Sequence, residues 1–143
     1  MQVQVTYSED AQRGYIYLVE RNDIDIRCTG DLDEEGAHEF LLDFDKKWNI
    51  VGIELEGLAA EKIRPMADES HIFQKKLTED GAVYYAFQLS DEKIKTTISH
   101  PKAKNVHFHF ADVLNQENMF IRDFIGIDIF DNGFYSEAFL VGK

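Results

Sequence analysis

Two histidines separated by one residue, His107 and His109, stand in an alternating polar and apolar run and so share one side of a strand. That spacing suits two ligands of zinc or nickel, and His100 and Asp112 are close in sequence. No third ligand stands at a recognisable interval, and neither H-x-x-x-H nor C-x-x-C occurs. Outer-face histidines with no cofactor are the simpler expectation. The run Asp31-Leu32-Asp33-Glu34-Glu35-Gly36-Ala37-His38-Glu39 has the oxygens and the glycine of the first nine positions of a calcium loop. Leu42 occupies the twelfth position, where a bidentate Glu is needed, and strands flank the run, so an acidic hairpin loop is expected. Nucleophile signatures are missing: there is no G-x-S-x-G, no glycine loop for phosphate, and Ser99 and His100 are strand neighbours that point to opposite faces. Cys28, in apolar alternation with Ile24 and Ile26, reads as a small core residue. With so many acids any two could meet, so paired carboxylates for glycoside chemistry select nothing. A non-enzymatic protein is expected.

The acids do have a pattern. The chain carries a net charge of −12, which argues against nucleic acid and anionic membranes as partners because both need a basic footprint. Residues 1–70 hold 17 acidic against 7 basic side chains, net −10, whereas residues 71–143 hold 10 against 8, net −2. If Ile24, Ile26, Phe40, Leu42, Val51 and Ile53 face inward, then Asp23, Asp25, Asp43, Glu54 and Glu56 share the outer face. Like charges on adjacent strands disfavour a sheet by a few tenths to about 1 kcal/mol per opposed pair, so such a ridge needs a reason. At the equivalent positions the second half shows Lys93, Lys95, His107, His109, Asp128 and Phe130, a mixed face. Asp31, Asp33, Glu34 and Glu35 extend the acidic surface, and Trp48 at a hairpin tip offers an aromatic anchor. Two readings stay open: a solvated surface that gives solubility, and a docking face that captures a basic protein, with complementary charge speeding and selecting the encounter.

The elements that would carry these residues are strands. Residues 49–57 alternate, with Val51, Ile53 and Leu55 on one side and Gly52, Glu54 and Glu56 on the other, and the pattern returns as Asp123-Phe124-Ile125-Gly126-Ile127-Asp128-Ile129-Phe130. Further strands are expected at residues 2–7, 15–19, 24–29 and 39–44, and a last one at 134–141. Residues 58–64, rich in Ala, Glu and Lys and stopped by Pro65, predict a short helix between the halves. The second unit answers the first over 23 positions at an offset of 70, so that Tyr15-Ile16-Tyr17 meets Tyr85-Ala86-Phe87, and Ile24, Ile26 and Cys28 meet Ile94, Thr96 and Ile98. The offset then slips at residues 112–119, a polar insert that predicts a helical turn capped by Asp112. Before that insert Val106-His107-Phe108-His109-Phe110 matches residues 40–44, and after it Ile125-Gly126-Ile127 matches Val51-Gly52-Ile53. Tyr15, Tyr17, Tyr85, Phe87, Phe108, Phe110 and Phe124 are expected mostly in the core.

Residues 3 to 57 resemble a short prokaryotic domain family of unknown function, whose pattern opens Y-D-x-x-x-D-x-x-Y-I-x-L and closes D-x-D-G-x-x-V-G-I-E-I. Tyr7, Tyr15, Ile16 and Leu18 fit the opening; Asp45, Val51, Gly52, Ile53, Glu54 and Leu55 fit the close. Ser8 and Gln12 replace the opening acids, Lys47 an acid of the turn and Trp48 its glycine, which leaves Asn49 to take any left-handed conformation. The resemblance implies a small antiparallel β fold and gives no activity to carry over, since the family has none assigned.

At 143 residues the chain can bury a core without staples, and its single cysteine agrees with a reducing compartment. No apolar run reaches the roughly twenty residues of a membrane span, and residues 1–5 alternate unlike a signal peptide, so a cytoplasmic protein is expected. The fold class expected is mainly β: an antiparallel sandwich or curled sheet of two pseudo-repeated meander units, 1–70 and 71–143, packed as one globular domain with one short helix at 58–64. The function expected is that of an acidic immunity or antitoxin-type inhibitor masking a basic toxin such as a nuclease. The alternatives that stay open are a small-ligand or metal-binding β module using His107 and His109, and a dimeric structural module pairing through an edge strand.

Overall fold

The computed structural model describes residues 3–32 and 39–142. The first five strands are β1 (Val5–Ser8), β2 (Arg13–Tyr17), β3 (Cys28–Asp31), β4 (Phe40–Phe44) and β5 (Ile50–Leu55), and they form an antiparallel sheet in the order β1-β2-β5-β4-β3. After helix α1 (Gly57–Ile63), strands β6 (Gln74–Leu77), β7 (Val83–Gln88), β8 (Thr96–Ile98), β9 (Val106–Leu114) and β10 (Phe120–Phe130) build a second sheet in the same order, β6-β7-β10-β9-β8. Helix α2 (Glu137–Leu140) follows. Period-two alternation gives each sheet one apolar face, and the two faces meet in a single buried cluster that includes Ile16, Leu42, Ile53 and Leu55 from one sheet and Phe87, Phe108, Ile127 and Ile129 from the other. Phe40 stands at its centre, 1% exposed, edge-on to Phe108, Phe110 and Phe124 at ring distances of 5.8, 5.7 and 5.0 Å.

Repetition extends to irregularities. Both sheets break register at the same place, between Asp43 and Phe44 opposite β5 and between Phe124 and Gly126 in β10, so that Val51 and Ile125 are the extra residues of matching bulges. The bulge turns the residue before it inward, and Ile50 and Phe124 join the core cluster. Backbone bonds repeat as well: Leu18 N–H donates to the Val51 carbonyl (3.0 Å) as Leu89 does to Ile125 (2.7 Å), and Arg27 donates to Phe44 as Lys95 does to Phe110, both at 2.8 Å.

The register corrects the uniform offset of 70. Tyr15 lies opposite Glu54 as Ala86 lies opposite Asp128, a separation of 71, while Cys28 and Thr96 hold equivalent places, a separation of 68. A one-residue error matters because it exchanges the faces of a strand. It placed Tyr15 and Tyr17 in the core; both are half-buried on the outer face, while Tyr85, Phe87, Phe108, Phe110 and Phe124 are buried.

Other expectations change for local reasons. The segment before β3 is a single 3-10 turn, Arg21–Asp23, followed by extended chain, and neither Ile24, Ile26 nor Cys28 is a core residue: Ile26 is 46% exposed and Cys28 is exposed. The insert after Phe110 is no helical turn, since it lengthens the β9–β10 hairpin by four rungs from Ala111 opposite Asp123 to Leu114 opposite Phe120. Its tip repeats that of β4–β5. Asp45 Oδ1 accepts from the N–H groups of Lys47 and Asn49, and Asn115 Oδ1 from those of Glu117 and Met119. The left-handed residue of the turn is Trp48 (φ 66°), not Asn49, matched by Asn118 (φ 60°). The final strand is replaced by α2, capped by Ser136 Oγ, which accepts from Phe139 N–H. Among the described residues, no helix is long and apolar enough to cross a membrane.

Candidate functional site

The outer face of the first sheet is built around Asp43. Its carboxylate accepts from Tyr15 Oη and from Thr29 Oγ1, both at 2.6 Å, so neighbouring strands on either side of β4–β5 hold it in place. Gly52 makes this possible: a Cβ there would overlap the Tyr15 phenol, so the ring crosses β5 only because the position is bare. Burial first, and the Asp43 hydrogen bond and charge second, raise the Tyr15 pKa far above its ordinary value and keep the phenol a donor. Tyr17 packs on Tyr15 at 4.6 Å between ring centres and carries the Arg21 guanidinium 4.5 Å above its own ring. Tyr15, Tyr17, Arg21, Ile24, Ile26 and Asp43 line a shallow, open hollow of about 340 Å³.

The predicted acidic residues distribute around this hollow. Glu54 lies on the outer face beside Tyr15 and Leu41, and Asp31 continues the row on β3. Arg13 meets Glu54 at 3.7 Å and Glu56 at 3.2 Å, which lowers the charge of that end without adding much stability, because the pairs are partly solvated. Asp25 pairs with Arg27 at 3.1 Å, and Asp23 lies exposed in the 3-10 turn. The ridge is therefore interrupted rather than continuous. Asp33, Glu34 and Glu35, with most of the calcium-like loop, lie outside the described residues. Glu39, the last of that run, is occupied structurally: its Oε2 accepts the Leu58 N–H at 2.7 Å in the first turn of α1. Trp48 is 41% exposed, edge-on to Phe44 at 5.4 Å, with Lys102 Nζ 5.3 Å over its ring.

On the second sheet the same register positions carry different groups. His109 stands where Asp43 stands, Asp128 in place of Glu54, Gly126 in place of Gly52, Thr97 in place of Thr29, and Ala86 and Gln88 in place of the two tyrosines. Thr97 Oγ1 is 2.9 Å from His109 Nδ1, and His109 Nε2 is 2.9 Å from Asp128 Oδ2. The order hydroxyl, imidazole, carboxylate is that of a nucleophile relay. The first sheet has the same threonine bonded directly to a carboxylate, so the contact is a cross-strand feature of both copies and needs no catalytic explanation. His107 turns to the Lys104 carbonyl (3.1 Å) and packs against Phe130, so the two imidazoles serve separate partners. Among the described residues no group of three or more His, Cys, Asp or Glu gathers as a metal site. His100 lies against the Phe44 ring at 4.9 Å, with its pKa lowered by burial and then by Lys102.

Where the first sheet carries the two tyrosines the second carries Ala86 and Gln88, and these line a cleft of about 190 Å³ with Ile94, His109, Gly126 and Asp128. Sequence reasoning put His109 and Asp128 on one face but missed Ala86, Gln88 and Thr97 as their companions. Thr97 answers Thr29 at a separation of 68, whereas Ala86 and Gln88 answer Tyr15 and Tyr17 at 71, so no single offset brings them together. No family model, curated protein or solved structure matches the chain. What the two faces do is therefore argued from their own chemistry.

Proposed function

We propose that this chain is a non-enzymatic binding protein whose first-sheet surface captures a basic protein. The observation that carries the reading is the placement of Asp31, Asp43 and Glu54 on one outer face, with Asp23, Asp25 and Glu56 around its margin, in the half of the chain whose net charge is −10. Tyr15 and Tyr17, half-buried and side by side, supply the rigid amphipathic area on which cationic side chains stack. In its sharpest form the reading is an immunity or antitoxin-type inhibitor. Its carboxylates would occupy the phosphate-binding cations of a toxin such as a nuclease, acting in the compartment where that toxin is made.

Because Asp43 is held by two hydroxyls, reversing it would disturb the sheet, and the exposed acids make the cleaner test. The immobilised full chain is exposed to an extract of its native host, and any basic polypeptide retained is purified and its binding rate measured against D23K/D25K/D31K. The expected result is an association rate that falls steeply with salt and is lowered about ten- to a hundredfold in the variant at low salt. An unchanged rate, or retention of acidic proteins only, refutes the reading.

A further inference from the structure

The hollow on the first sheet offers more than negative charge. Asp43 is held by two neutral hydroxyls, which orient its carboxylate without neutralising it. Each takes a different oxygen: Tyr15 Oη donates to Oδ2 and Thr29 Oγ1 to Oδ1, both at 2.6 Å. A carboxylate oxygen has two acceptor sites, so one stays open on each, and two N–H groups of a guanidinium fork engage such a pair in parallel. An ammonium is a compact point charge and gains nothing from the pairing of the two sites. The aromatic wall selects in the same direction. Tyr15 and Tyr17 both line the hollow, and one guanidinium is already stacked there, with Arg21 Cζ 4.5 Å from the centre of the Tyr17 ring. Ile24 and Ile26 supply apolar surface for the methylene stem of a second such side chain, and about 340 Å³ of open volume admits its planar head. The surrounding half of the chain carries a net charge of −10, which draws in a second cation despite Arg21. The second sheet has neither part of the arrangement, since His109 stands in place of Asp43 and Ala86 and Gln88 in place of the two rings.

We propose that this hollow receives the guanidinium of one arginine side chain of the basic partner, with its fork on Asp43 and its plane against the tyrosine rings. The inference rests on the reading of the first sheet as a capture face, and it names the side chain that gives the capture its specificity. The exposed acids around the hollow speed the encounter with any cation, whereas Asp43 and the two rings distinguish arginine from lysine.

The test is a titration of the full chain with N-acetylargininamide, followed by amide and side-chain nuclear magnetic resonance, with N-acetyllysinamide as the comparison. Saturable shifts are expected at Tyr15, Tyr17, Thr29 and Asp43 and not at Ala86 or His109, and the lysine derivative is expected to bind about threefold more weakly or worse. Asp43→Asn should weaken the arginine derivative about tenfold or more. Should that variant not fold, Tyr17→Leu serves instead, with a loss of about two- to fivefold. Absence of saturable shifts, shifts confined to Asp23, Asp25 and Asp31, equal binding of the two derivatives, or undiminished binding by a folded variant would each overturn the proposal. Such a failure, with salt-sensitive capture of a basic polypeptide intact, removes the arginine site and leaves the capture face standing. Binding of the arginine derivative as expected, with no basic polypeptide captured, removes the capture reading and leaves the guanidinium site standing.

Discussion

The outer faces of the two sheets share a backbone and differ in what fills them. On the first, the Tyr15 ring lies across Gly52, and Asp43 is fixed by two hydroxyl donors. On the second, Ala86 and Gln88 replace the tyrosines, and His109 stands between Thr97 and Asp128. Bulges, turn tips and connecting hydrogen bonds are the same in both. Matching scaffolding with different outer side chains teaches that the inner faces carry stability, where both copies stay apolar, and that the outer faces are where the copies differ.

Phe40→Ala breaks the comparison at its root. Phe40 belongs to the first sheet but touches three phenylalanines of the second, so its loss should cost about 3–5 kcal/mol. Urea unfolding measures this, and both sheets should lose stability together in one transition. A loss confined to the first sheet's signals would mean that the sheets are separable.

Tyr15→Phe is the next largest. It removes a donor from a held carboxylate while keeping the ring, and about 1–3 kcal/mol should be lost at neutral pH. The same bond dictates an alkaline limit. Because the folded pKa of Tyr15 is raised above its unfolded value near 10, its contribution is fully present below that pH and is lost as pH rises beyond it. Stability curves between pH 9 and 11.5 should slope downward in the wild type and less so in Tyr15→Phe. Tyr85 and Tyr135 are also raised by burial and add to the slope, so it is the difference between the two curves that belongs to Tyr15.

The smallest effect is on the acid side. His100 has a folded pKa below its unfolded value near 6.5, so the unfolded chain takes up the proton first. Its contribution is full above that pH and declines as pH falls below it. Replacing His100 by Gln should flatten the loss of stability between pH 6.5 and 5, measured by thermal unfolding; an unaltered slope assigns that loss to other groups.

Much of the inner structure was legible because burial enforces period two. Strand β5 was expected at Ile50–Leu55 and lies there; Phe40, Leu42 and Phe44 face inward as read, and the helix expected at 58–64 runs from Gly57 to Ile63. Errors arose where apolar residues do not mark the core. Ile24 and Ile26 border the outer hollow, so their alternation reports an outer surface. Leu114, Met119 and Phe120 are more than half exposed along a solvent-facing ribbon, and its polar rungs looked like an insertion with its own turn. At the C-terminal end, four residues of helix follow one serine cap, too short for a 3.6-residue period to register. Of the site, the histidines and acids were visible as residue types. Their grouping depends on a register that changes between strands, which a single ungapped offset hides.

The most direct measurement of how the first face is built is to remove the ring that covers Gly52. In Tyr15→Ala the space over Gly52 is emptied, and p-cresol added to that variant should shift the Gly52, Asp43 and Thr29 resonances saturably. It should also restore part of the lost thermal stability, beyond any increment seen with the wild type. No shift at those residues and no added recovery would contradict the account, because the hollow over Gly52 would then be neither the size nor the shape of the ring it now holds.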